Sequence, residues 1–168
     1  AVDVSMMTPL RCPRDQAGAL MECSKSGLPV ELLTSPAMGV SAPVTISGST
    51  VVAMAEALAA LCLVYQIAPG LGFINTARIS PINMHTAIYN YGAPELGMGS
   101  VLVAACSFRY HIPCDLYGFG TSAKVPSIQA AMEKTFSGLL IALGHPYMIT
   151  GGGILDNALV TSPEQLII

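Results

Sequence analysis

The feature that most constrains this chain is the repetition of one unit: a short apolar run, a loop rich in glycine or serine, then a long apolar stretch. Val30–Thr34 (VELLT) predicts a buried strand and Gly48–Tyr65 a helix, closed by Pro69-Gly70. Gly72–Thr76 predicts the next strand and Pro94–Tyr110 the next helix. Pro94 suits a first helical turn, and Glu95 complements the positive end of the helix dipole. Arg109 and His111 fall at the opposite, negative end. Cys114–Tyr117 and Pro126–Leu143 form a third unit, and Tyr147–Thr150 opens a fourth. Upstream, Val2–Met6 and Asp15–Ser26 predict an earlier and more polar strand and helix. Strands alternating with helices imply an α/β fold with a parallel sheet, because parallel strands need a long crossover.

About five such units read as one domain over residues 1–168. A closed (β/α)8 TIM barrel takes about 200 residues or more, so the expectation is an incomplete barrel. The C-terminal residues also spell a helix start, with Ser162 as N-cap, Pro163 first and Gln165 as capping-box partner. The helices at 48–65 and 94–110 are apolar nearly all round, with Glu56 a lone charge mid-helix. Helices of that kind need burial on every face. Only 126–143 carries a polar stripe, at Gln129, Glu133 and Ser137. An arc that completes its core with copies of itself, a homo-oligomer, follows as an expectation.

Composition narrows the classes. Hydrophobic residues make up 52% and charged residues 10% of the chain, which excludes a disordered segment. A net charge of −3 without a basic patch argues against nucleic acid. The charge-free stretches Leu32–Ala55 and Ala57–Ala77 are broken by prolines, glycines and hydroxyl residues, so no membrane span is expected. The start, Ala-Val-Asp, shows no signal-peptide pattern. Five cysteines, an odd number without Cys-x-x-Cys, suit a reducing, cytoplasmic compartment. No cluster has metal-ligand spacing, so no metal is expected.

Gly118–Ala123 matches the dinucleotide fingerprint G-x-G-x-x-A in form. However, the strand ending Met148-Ile-Thr-Gly151 lacks the ribose-binding acid, and the next helix begins after the glycines. Gly151, Gly152 and Gly153 could hold a phosphate through backbone amides, or form a plain turn. His111 and His145 belong to the amino ends of strands and read as structural. His85 lies in the long loop Ala77–Ala93, where barrel chemistry is built, either as a functional residue or as a loop-ordering one. Two tyrosines, Tyr89 and Tyr91, with Glu95 and Arg78 suit a cationic ligand, since aromatic faces attract quaternary ammonium. The alternative is that these rings pack on the barrel rim.

The segment Ser35-Pro-Ala-Met-Gly-Val-Ser-Ala-Pro-Val-Thr-Ile-Ser-Gly-Ser-Thr50, then Ala55-Glu56-Ala57-Leu58-Ala59, resembles the trimethylamine methyltransferase (MttB-type) family. So do Gly92-Ala-Pro-Glu95, the Gly118–Lys124 loop followed by Gln129 and Glu133-Lys134, and Gly151-Gly-Gly153. The resemblance runs in order along nearly the whole chain. It implies a TIM barrel that moves a methyl group from a methylamine or betaine to the Co(I) corrinoid (cobalamin-type) of a separate protein. No cofactor would be bound tightly by the barrel itself. One branch carries pyrrolysine, with the loop around Ser122–Val125 as its expected place. These residues contain none, so the resemblance points to the branch acting on glycine betaine and related quaternary amines.

A quaternary donor already has a neutral amine as leaving group, so the barrel's task is positioning and exclusion of water. Residues at the carboxyl ends of the strands are the expected lining: Ser35, Met38, Asn75, Arg78, Phe119, Ser122, Thr150 and Gly152. Tyr89, Tyr91 and Glu95, with His85 nearby, form the expected cation cage, and Arg78 or Lys124 the partner of a substrate carboxylate. Two other readings stand beside this one: an inactive barrel fragment or assembly subunit, and a phosphate- or flavin-binding α/β enzyme using Gly151–Gly153.

Overall fold

The computed structural model describes residues 1–167. In chain order the elements are β1 (Val2–Ser5), α1 (Arg14–Lys25), β2 (Val30–Thr34), β3 (Ala37–Met38) and α2 (Ile46–Ile67). Then come β4 (Phe73–Ala77), β5 (Ser80–Asn83), β6 (Ile88–Tyr89), α3 (Pro94–Arg109), β7 (Cys114–Tyr117) and α4 (Ile128–Leu143). The chain finishes with β8 (Met148–Thr150), β9 (Ile154–Leu155), β10 (Val160–Thr161) and α5 (Pro163–Ile167). One parallel sheet runs β1-β2-β4-β7-β8, each strand beside the next in sequence, with α1 to α4 as its crossovers. Parallel strands in sequential order are the arrangement of an arc of a βα barrel.

Local chemistry accounts for the helix starts. The Thr45 hydroxyl accepts from the Gly48 amide at 3.2 Å, and Ser127 caps α4 through Ala130 N–H at 3.2 Å. Pro94 opens α3 with Glu95 in its first turn. Ser162 Oγ accepts from Gln165 N–H at 3.2 Å, as the capping pattern requires. Ile168, the last residue of that expected helix start, lies outside the described residues.

The two faces of the sheet separate by strand parity. Val30 and Leu32, Phe73 and Ala77, and Cys114 and Leu116 face the helices. They form two cores, one beneath α1 and α2 and one beneath α2, α3 and α4. The alternate residues, Asp3, Glu31, Thr76, Asp115 and Thr150, line the concave face. Registers Asp3↔Glu31, Thr76↔Asp115 and Tyr117↔Thr150 set them side by side.

Two expectations about helix faces are corrected. The apolar helices α2 and α3 are not covered all round: Val51 is 68% exposed, Met98 50% and Phe108 80%. Glu56 is the inward residue, accepting from Thr8 Oγ1 at 2.9 Å and the Leu10 amide at 2.7 Å. In α4 only Gln129 of the expected polar stripe faces solvent. Ser137 is buried and Glu133 half-buried, while Ile128, Met132, Phe136, Leu139 and Leu143 face outward. The reason is that Glu133 finds hydrogen-bond donors in the loop after β7 and the Ser137 hydroxyl is satisfied by the Glu133 carbonyl of its own helix, whereas nothing within residues 1–167 covers the apolar side. By length and composition α2 is the one helix among the described residues that could cross a bilayer. Here it packs on β2, β4, α1 and α3.

Candidate functional site at the carboxyl ends of the strands

The loops after β4 and β7 meet above the sheet. The β4 loop folds into the β5–β6 hairpin, Ile82 pairing with Tyr89, and carries Tyr89, Asn90 and Tyr91 back over the strands. The β7 loop, Gly118–Val125, is pinned by α4. Glu133 Oε2 accepts from Thr121 Oγ1 at 2.6 Å and from the Ser122 amide at 2.8 Å, while Oε1 accepts from Gln129 Nε2 at 2.8 Å. Ser122 Oγ donates to Asn90 Oδ1 at 2.6 Å and accepts from the Gly92 amide at 3.3 Å. Asn157 Oδ1 accepts from the Tyr91 amide at 3.0 Å and from Ser122 Oγ at 3.1 Å.

Asn157 reaches this position through a strained turn. Asp156, Asn157 and Ala158 hold φ of 48°, 53° and 72°, three successive left-handed residues without a glycine. Such conformations persist only where surrounding contacts hold them, and they concentrate at functional sites. The result is a cleft of about 410 Å³ lined by Tyr89, Asn90, Ser122, Lys124, Asp156 and Asn157, with Asn83, Thr86, Ile88 and Leu159. It carries one cation, one anion, and otherwise neutral groups.

Beneath the cleft stands a column of tyrosines. Tyr89 and Tyr91 stack with centroids 5.6 Å apart, and Tyr91 meets Tyr117 at 5.2 Å with a 52° tilt. The Arg78 guanidinium carbon lies 4.9 Å from the Tyr117 ring centre. Burial pushes the phenols of Tyr89, Tyr91 and Tyr117 up, Tyr117 to about 12, so all three stay neutral. Tyr117 Oη and Arg78 Nε are buried with no partner among the described residues. Deeper on the concave face, burial raises Asp115 to about 7, reinforced by the neighbouring Glu31 carboxylate. A buried carboxyl beside a second carboxylate favours its protonated form.

The expected site residues divide. Tyr89, Ser122 and Lys124 come together in the cleft, Tyr91 stacks on Tyr89, and Arg78 joins the column only through Tyr117, outside the cleft lining. Tyr89 and Tyr91 do not form two walls of an open cage: they stack on each other, Tyr91 is 8% exposed, and Tyr89 Oη donates to Ser35 O at 3.1 Å. Asn75 is fully buried on the helical side, where Nδ2 donates to Ser107 Oγ at 2.9 Å. Strand parity sends it there, since its neighbours Ile74 and Thr76 take the concave side. Phe119 packs against Gly138 of α4, away from the cleft. His85 sits in the exposed turn of the hairpin, its main-chain amide donating to Asn83 Oδ1 at 2.9 Å, and it does not line the cleft. Glu95 is partly buried in the first turn of α3. Gly151, Gly152 and Gly153 form the turn after β8, with Gly152 and Gly153 on a separate cavity.

The residues that pattern reading missed are Glu31, Asp115, Tyr117, Asn90 and Asn157. Tyr117 and Asp115 were legible only as members of a strand. The alternation of β7 could have placed both on the concave face, but not against Arg78 or Glu31.

The chain matches the family described as trimethylamine methyltransferase (MTTB) over residues 2–168. It is 32% identical over 161 residues to the trimethylamine methyltransferase MttB of Methanosarcina thermophila, covering 96% of this chain and 33% of that protein. The MttB of Desulfitobacterium hafniense (strain DSM 10664 / DCB-2) is 27% identical over 160 residues, 95% of this chain and 32% of that protein. The glycine betaine methyltransferase of Desulfitobacterium hafniense (strain Y51) is 25% identical over 165 residues, 98% of this chain and 34% of that protein. The chain spans about a third of the length of these relatives. Together with the parallel βα arc, the match over the whole length makes this chain a member of the trimethylamine methyltransferase (MTTB) family.

Proposed function

We propose that the protein containing this arc is a methyltransferase that takes a methyl group from a quaternary or methylated amine and passes it to the Co(I) corrinoid of a partner protein. The observation that carries the reading is the cleft at the strand ends, where Lys124 and Asp156 stand among neutral amides and the edge of a tyrosine column. A cleft with one positive and one negative side chain suits a zwitterion, the Asp156 carboxylate and the Tyr89 ring facing the ammonium and Lys124 the carboxylate. Glycine betaine has this form, and it is the favoured donor class. The identity is higher to the trimethylamine enzymes, which makes trimethylamine the deciding competitor.

In this reading the corrinoid supplies the nucleophile and this chain supplies placement. The cleft holds the N–CH3 bond toward the open mouth, and the C–N electron pair stays with the departing neutral amine. No proton is required from the protein for a quaternary donor. The network Glu133–Ser122–Asn90–Asn157 keeps the loops rigid, so the donor meets a preformed pocket. The open edges β1 and β8 leave the arc without the remaining wall of a barrel, so the isolated stretch is proposed to be inactive. Its uncharged outer helix faces suit contact with further copies in a homo-oligomer.

The test is a donor panel on the full-length protein with cob(I)alamin, its oxidation state followed optically. Turnover is expected with glycine betaine or a close relative and negligible with trimethylamine. Turnover of trimethylamine alone overturns the donor class, and turnover of neither overturns the methyltransferase reading.

A further inference from the structure

Lys134 sits on the inward side of α4 with 6% of its surface exposed, and its ammonium nitrogen is buried without a hydrogen-bond partner among the described residues. It borders a cavity of about 310 Å³ whose other walls include Phe119, Gly152, Gly153 and Leu166. Burial pushes the Lys134 pKa down, as expected for an ammonium withdrawn from water without a counter-charge. Its sequence neighbour Glu133 does not answer it, because both carboxylate oxygens of Glu133 are committed to Thr121, Ser122 and Gln129.

The facing wall is the glycine turn after β8. Gly151 and Gly153 hold φ of +99° and +75°, and a Cβ on Gly152 would come within 2.9 Å of Leu166 Cδ1. Gly153 is buried, yet neither its amide nor that of Gly152 donates to an acceptor among the described residues. Main-chain N–H groups without an acceptor and an unpaired ammonium lining one cavity are the kind of donor set that oxyanion sites use.

We propose that the cavity bounded by Lys134, Gly152 and Gly153 binds a single oxyanion of phosphate size and charge. The Lys134 ammonium supplies the counter-charge and the glycine amides supply the directional hydrogen bonds. The site shares no lining residue with the cleft of Tyr89, Ser122 and Lys124, so it stands or falls independently of the methyl-transfer reading. The same chemistry serves free inorganic phosphate or the phosphoryl group of a larger molecule.

The experiment titrates inorganic phosphate and glycerol 3-phosphate into the full-length protein, reading melting temperature and 31P line width. Wild type should show a saturable rise in melting temperature. Lys134→Met should weaken binding at least tenfold, and Lys134→Arg should retain it. If Lys134→Met does not fold, Gly152→Val, which fills the cavity wall while keeping the lysine, should abolish the response. A response to phosphate alone identifies a free-ion site, and an equal response to the ester identifies a phosphoryl site. No saturable effect in wild type overturns the proposal. So does an equal effect in Lys134→Met, or in Gly152→Val where that variant stands in for it.

Discussion

The Arg78 guanidinium lies 4.9 Å from the centre of the Tyr117 ring, although the two residues are joined only through the adjacency of β4 and β7 in the sheet. This pairing leaves Tyr117 Oη and Arg78 Nε buried and unpartnered among the described residues. Tyr117→Phe removes an unsatisfied buried hydroxyl and keeps the ring, so stability should stay level or rise by up to about 1 kcal/mol. Tyr117→Leu removes the cation–π contact and leaves a cavity, and should cost about 2–4 kcal/mol. Denaturant unfolding of the two variants distinguishes these roles.

The Asp115 carboxyl gives the fold a pH dependence. Burial and Glu31 raise its folded pKa to about 7, far above the ordinary carboxylate range. The folded state therefore binds a proton that the unfolded chain releases near pH 4. Stability from this group is complete below about pH 4 and is lost as pH rises toward 7 and through it. Asp115→Asn should flatten melting temperature against pH between 5 and 8 and raise it most at the alkaline end. An unchanged profile refutes the raised Asp115 pKa.

Glu133 is expected to act as the clamp of the β7 loop. Glu133→Ala leaves the Thr121 hydroxyl and the Ser122 amide without their acceptor and should cost about 2–4 kcal/mol, since hydrogen bonds to a charged group are the stronger kind. Glu133→Gln keeps one acceptor and should lose about half as much. Proteolysis within 118–125 should accelerate in the alanine variant, and mass spectrometry of the fragments reads this directly.

Within the cleft, Tyr89 and Lys124 should separate the two ends of the donor. Tyr89→Leu removes an aromatic face and should weaken a quaternary donor by about 0.5–2 kcal/mol, seen in KM. Lys124→Met should raise KM for a betaine while leaving a donor without a carboxylate unaffected. Equal effects on both donors overturn the assignment of Lys124 to the carboxylate.

The outer wall predicts association. Phe108, Met132 and Phe136 are 80%, 68% and 49% exposed on adjacent helices. Exposed apolar area of this extent marks a contact surface. Light scattering of the 168-residue chain should give masses above 17.4 kDa. Phe108→Lys combined with Phe136→Lys should shift the distribution toward the monomer.

Element type was legible because periodicity and turn chemistry act within a few residues. VELLT between two loops gives β2 at its observed bounds, and Pro94 and Ser162 mark helix starts by sparing or satisfying backbone N–H groups, whereas the helices expected from Gly48 and Pro126 begin at Ile46 and Ile128, behind the caps Thr45 and Ser127. Sequential parallel strands follow from alternation with helices, which is why the barrel arc and the family motifs pointed the same way. The sequence by itself thus determined the units, their order and the strand ends at which chemistry could be placed.

Direction and contact belonged to the tertiary structure. Asn75 and Arg78 lie three residues apart, yet the pleat sends one into the helical core and leaves the other on Tyr117. The stripe Gln129, Glu133 and Ser137 looks solvent-facing as a pattern, but Glu133 turns inward because the Thr121–Ser122 loop offers donors there. Glu31 helps to raise the Asp115 pKa although β4 lies between their strands, a relation that no local signal carries. Hydrogen-bond satisfaction and burial are decided by neighbours remote in the chain, so only the assembled sheet could place these groups.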